Sequence, residues 1–387
     1  MKKFLLLALI FILPAGVFAD KKSEKFAATI GSNNVAKIEA AIKEGADVNG
    51  YSGEKAFTPL MIACQSEDSI EVVKLLLKYG AKVNETNVNG DTALIIASQS
   101  NTNAEIHKTL IESGADVNMR NKDQTTPLMA ACGNNLKSAV VETLISSGAR
   151  LDDKDMDGRT PLIFAVTYNE NAKVTEALLK AGADPNTKNR YGLPVVMMAA
   201  QSNKNAAVLQ ALIDAGADLS FSIQGLNPMC YAAIYNPNPD IIGVLHKKGL
   251  SISDYNENGV SPFLYSCFYN FSSDVTKKFL ELGADPKQTD KNGISALMYA
   301  AMHNGNAEII HVLVKAGADV NAKDKANGLT PLMLAALQNE NGSVINALLE
   351  EGADISLKSN AGMTAYEYAV KNETPVSKLD VVQELEQ

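Results

Sequence analysis

Apolar residues along this chain come in two kinds of short burst that alternate with polar stretches. The first kind is compact, as in Pro127-Leu128-Met129-Ala130-Ala131-Cys132, where Ala131 and Cys132 are small enough to let a neighbouring helix approach closely. The second is amphipathic: Val72, Val73, Leu75, Leu76 and Leu77 mark one apolar face, and Ile309, Ile310, Val312, Leu313 and Val314 mark another, at helical spacing. Polar segments such as Gln99-Ser100-Asn101-Thr102-Asn103 separate the two kinds. The pattern predicts pairs of short helices and no sheet.

The pairs repeat. A glycine closes each second burst, at Gly45, Gly80, Gly114, Gly148, Gly182, Gly216, Gly249, Gly283, Gly317 and Gly352, with successive glycines 33 to 35 residues apart. An opening residue precedes each first burst, from Thr58, Thr92, Thr126 and Thr160 through Pro194, Asn227, Ser261, Ser295 and Thr330 to Thr364. Opening and next glycine are separated by 22 residues in all nine cases, whereas glycine and next opening are 11 to 13 apart. Packed helices must keep their length, and an exposed loop need not. The opening Thr or Ser can cap a helix through its hydroxyl, a following Pro suits the first turn, and the glycine supplies the left-handed conformation that ends a helix.

With Gly-Ala-Asp-Val-Asn at 45, 114 and 317 and Thr-Pro-Leu at 58, 126, 160 and 330, all in phase, the chain resembles the ankyrin-repeat family over nearly its whole length. The resemblance implies an all-α solenoid of about nine full repeats, from Thr58 to Gly352, with half-repeats as N- and C-terminal caps. Residues 20–57 then hold the first cap and turn, 58–363 the nine repeats, and 364–387 the last cap. Asp380, Gln383, Glu384 and Glu386 suit the polar outer face that a terminal unit needs. The chain departs from the family where a histidine usually follows the opening triplet; Met61, Ile95, Met129, Ile163, Met197, Cys230, Leu264, Met298, Met333 and Glu367 stand there instead.

Residues 1–19 read as a secretory signal: Lys2 and Lys3, an apolar run from Phe4 to Leu13, Pro14, and small residues at Val17 and Ala19. The run is shorter than the about 20 residues that span a bilayer. The expectation is an exported bacterial protein, periplasmic or secreted, with no membrane insertion of the mature chain. A formal charge of −9 offers no basic footprint for nucleic acid.

Little chemistry stands out. Asp153-Lys154-Asp155-Met156-Asp157-Gly158 begins like a calcium loop, but Phe164 occupies the position where a bidentate carboxylate is required. The four histidines and four cysteines have no zinc-ligand spacing, and Cys64, Cys132 and Cys267 fall where most repeats carry a small apolar residue. No catalytic motif, cofactor or metal is expected.

What remains is a surface. In the family that the chain resembles, turn tips and the ends of first helices hold partners. Eight residues after each opening the later repeats place Tyr168, Tyr235, Tyr269 and His303, and just before the opening they place Leu193, Leu226, Val260, Ile294 and Leu329. Aromatic and apolar anchors on one face compose a binding hot spot. The reading is a non-enzymatic scaffold of the bacterial envelope that holds a protein partner on this face. The alternative is a secreted effector or immunity-type factor that binds a host or competitor protein.

Overall fold

The computed structural model describes residues 21–134, 137–371 and 385. Residues 1–19 and the polar C-terminal segment around Asp380 lie outside them. Among the described residues every regular element is a helix, joined by short turns and isolated antiparallel bridges. The fold is an all-α repeat solenoid, and its contacts fall into two units: residues up to Tyr168 with 180–183, and residues 169–179 with 184 onward.

The first unit contains α1 (Lys21–Gly31), α2 (Val35–Lys43), α3 (Pro59–Ala63), α4 (Ile70–Lys78), α5 (Ala93–Ser100), α6 (Ala104–Glu112), α7 (Pro127–Gly133), α8 (Ser138–Ser146) and α9 (Pro161–Tyr168). First helices stack on first helices, α1 on α3 on α5 on α7 on α9, and second helices stack likewise from α2 to α8. At the N-terminus α1 and α2 form a helix pair, with Phe26, Ile30 and Ile38 buried.

The second unit runs through α10 (Ala172–Lys180), α11 (Val195–Ser202), α12 (Ala206–Asp214), α13 (Pro228–Tyr235), α14 (Pro239–Lys247), α15 (Pro262–Tyr269), α16 (Ser273–Glu281), α17 (Ala296–His303), α18 (Glu308–Lys315), α19 (Pro331–Gln338), α20 (Gly342–Glu350) and α21 (Ala365–Lys371). Here α11, α13, α15, α17, α19 and α21 stack in order, and so do α12 to α20.

Local chemistry fixes both ends of each helix. The Thr330 hydroxyl accepts from the Met333 N–H at 3.3 Å, and Ser261, Ser295 and Asn227 cap α15, α17 and α13 in the same way. Where the family usually has histidine, Met61 and Met298 turn their sulfurs back to accept from the cap residue's own N–H. Pro194 has no side-chain oxygen to offer α11, and its extended backbone alone sets the entry. At the other end Gly283, with φ 96°, reverses the chain so that the Ala284 N–H returns to the Phe279 carbonyl. A side chain would be strained in that left-handed conformation.

The inter-helix loops carry the inter-repeat bonds. An Asn directly after a first helix points its amide into the preceding repeat: Asn270 Nδ2 donates to the Ala233 and Asn236 carbonyls, and Asn304 to those of Cys267 and Asn270, at 2.8 to 3.0 Å. Two residues on, Asn306 donates to the Phe271 carbonyl while its Oδ1 accepts from the Glu308 N–H at the start of α18. The first unit repeats the device at Asn101 and Asn103. In the repeats that carry Asn-x-Asn, such as those opening at Thr92 and Thr330, the loop cannot change length without breaking these bonds.

The repeat opening at Asn227 keeps this register. Asn236 and Asn238 make the ladder bonds, while Pro237 and Pro239 occupy positions that need no N–H. Its turn is shortened to Ile223-Gln224-Gly225-Leu226, with positive φ at both central residues. Such a two-residue hairpin demands that conformation.

Candidate functional site

Residues at the ends of first helices emerge on the surface. Tyr168, Tyr235 and Tyr269 are 52%, 55% and 44% exposed, and His303 is exposed as well. Positions four apart share a helix face. Each ring therefore has a partner one turn earlier: Tyr231 lies 5.9 Å from Tyr235 and Tyr265 lies 6.3 Å from Tyr269, centroid to centroid. Sequence reasoning missed Tyr231, Tyr265 and Tyr299; the four-residue spacing was the signal that would have found them.

Across α15 and α17 the rings form a continuous cluster. Phe268 meets Tyr269 edge-on at 4.6 Å, Tyr299 edge-on at 5.5 Å, and the His303 imidazole nearly parallel at 4.9 Å. The inner tyrosines are pinned to the turns by their hydroxyls. Tyr265 accepts from Asn256 Nδ2 at 2.8 Å, and Tyr299 donates to Asp290 Oδ2 at 3.0 Å. The other Asp290 oxygen accepts from the Asn292 and Ile294 N–H groups. Burial first, then the Asp290 carboxylate, push the Tyr299 hydroxyl above the usual phenol range, so it stays protonated and donating.

The turn residues play a different part. Leu193, Leu226, Val260, Ile294 and Leu329 are half-buried on the return arm of each hairpin. Their carbonyls accept from Asn189, Ile223, Asn256, Asp290 and Asp324. They pack the turn, and the rings provide the accessible apolar surface.

Tyr168 belongs to the first unit and has its own surroundings. The Arg159 guanidinium lies 4.7 Å from the Phe164 centroid, donates to the Tyr168 hydroxyl at 2.9 Å, and pairs with Asp155 at 2.6 Å. The same arginine reaches Asp157, and Arg120 pairs with Asp153, so all three carboxylates of the calcium-like turn face guanidinium groups. His107 is buried with Nδ1 on the Asn103 carbonyl, and His311 bonds Glu351. Among the described residues no group of three or more His, Cys, Asp or Glu side chains could hold a metal ion, and no helix is long and apolar enough to cross a membrane. The four cysteines are buried thiols; burial pushes Cys267 up to about 12.

Beside the ring cluster, a pocket of about 490 Å³ opens between inter-helix loops, lined by Phe271, His303, Gly305, Gln338 and Glu340. Phe271 is 62% exposed.

The family model for ankyrin repeats (3 copies) matches residues 25–121, 94–189, 196–290, 264–359 and 297–386, and the chain belongs to the ankyrin-repeat family. Ankyrin repeats are generally protein–protein interaction modules, and proteins built from them are typically non-enzymatic scaffolds. A search of curated proteins found none that matches the chain.

Proposed function

We propose that this chain is an exported, non-enzymatic scaffold of the bacterial envelope that holds a protein partner on the ends of its first helices. The supporting observation is the exposure of Tyr235, Tyr269 and His303 on three successive first helices of the second unit. Large rings left in solvent give up the burial that drives folding, and tyrosine in particular is enriched where binding energy concentrates. Leu226, Val260 and Ile294 stiffen the turns behind these rings, and Tyr168 offers a further contact in the first unit. Fold alone does not give function, so the reading rests on these side chains.

Affinity capture from the native envelope fraction tests it, comparing the wild-type chain with a Tyr235→Ser, Tyr269→Ser, His303→Ser variant of equal melting temperature. Losing three ring contacts of about 1 to 2 kcal/mol each should weaken partner retention by a hundredfold or more. Equal capture by both proteins would reject this face. Fractionation addresses the destination: recovery in the medium alone supports the secreted effector or immunity-type factor instead.

A further inference from the structure

The pocket beside the ring cluster has a particular chemistry. One wall is the exposed Phe271 ring, another is the His303 imidazole stacked on Phe268, and Gln338, Asn339, Glu340 and Asn341 line the remainder with Gly305. At Gly305 the loop passes close to one wall: a β-carbon there would meet Phe271 Cε1 at 3.3 Å. Equivalent loop positions in other repeats carry Thr102, Glu170, Lys204, Pro237 and Glu340.

One carboxylate gives the pocket its sign. Glu340 is exposed and has no ion-pair partner among the described residues. Rings and carboxylates together attract a cation, and a guanidinium best of all, because it stacks flat on rings and forks onto a carboxylate. The first unit shows what satisfies such a combination: Arg159 lies over Phe164, against Tyr168 and onto Asp155. No arginine follows Arg190 in the sequence, so the repeats around this pocket carry none of their own.

We propose that the pocket lined by Phe271, His303, Gly305, Gln338 and Glu340 receives an arginine side chain of the protein partner. The proposal deepens the scaffold reading and rests on it. It makes the partner basic where it meets α15, α17 and α19, in keeping with the scaffold's formal charge of −9.

The full chain, labelled at histidine Cε1, gives four signals to follow by NMR, with His303 assigned through His303→Gln. N-acetyl-arginine amide is the probe and N-acetyl-citrulline amide its uncharged counterpart. The arginine probe should shift the His303 signal to saturation, the citrulline probe should bind about tenfold more weakly, and Glu340→Gln should weaken arginine by about tenfold. An unmoved His303 signal, equal response to both probes, or unchanged affinity in Glu340→Gln would overturn the proposal. Partner capture by the same preparations separates the two readings. Capture that persists undiminished in Glu340→Gln keeps the scaffold and discards the pocket, whereas no capture by the wild type discards the scaffold even if the arginine probe binds.

Discussion

His107 shows how a single side chain sets a condition on stability. It is fully buried on α6, its Nδ1 meets the Asn103 carbonyl, and its Nε2 has no hydrogen-bond partner. Burial lowers its pKa, since desolvation disfavours the imidazolium more than the backbone contacts favour it. The unfolded chain binds the proton near the ordinary value of about 6.5, while the folded chain resists until lower pH. Over that interval the unfolded state holds more protons, so stability is full above about pH 6.5 and declines as pH falls. Melting temperatures from pH 7.5 to 5.5 should drop more steeply in the wild type than in His107→Asn. Parallel slopes would show that this imidazole titrates alike in both states.

Residue identity also divides the candidate face into what could and could not be foreseen. The positions of Tyr235, Tyr269 and His303 followed from counting eight residues past a helix cap, and all three are exposed. Leu193 to Leu329 are just as apolar on the page, yet the hairpin geometry half-buries them. The sequence shows hydrophobicity, but it does not show which side of a turn a short return arm covers. Tyr299 went unremarked because its task, donating to Asp290, depends on a turn that precedes it by nine residues.

At the level of elements, helix pairs and their ends were readable because capping and glycine termination are local. The asparagines between the helices were not, because their partners lie 33 to 38 residues away and are main-chain carbonyls, which every residue possesses. A loop such as Asn304-Gly305-Asn306 reads as an ordinary polar connection until neighbouring repeats are placed beside it. Its energetic importance is large all the same. Asn270 is 4% exposed, and replacing it with Ala leaves two buried carbonyls without donors, each costing about 1 to 3 kcal/mol. Asn270→Ala should therefore lower the unfolding free energy by about 2 kcal/mol or more in urea titration. A loss below about 0.5 kcal/mol would mean that water reaches those carbonyls.

For the whole molecule, charge bears on the encounter with a partner. An excess of acidic residues, 44 against 35 basic ones, repels acidic proteins and attracts basic ones over distances set by ionic strength. If the partner presents arginine to the Phe271 pocket, its association rate should fall by about tenfold or more when salt rises from 50 to 500 mM, with a smaller change in dissociation. Surface-binding kinetics at several salt concentrations would show this. A salt-independent association rate would indicate an apolar partner surface.

The ladder of asparagines also bears on how such a chain grows. Each amide addresses a backbone carbonyl one repeat back and reads nothing of the neighbour's side chains, so this joint is the same whatever repeat precedes it. Duplication or excision of a whole period in the gene would leave these amides facing equivalent acceptors. The surface residues eight past each cap can then diversify independently, one repeat at a time.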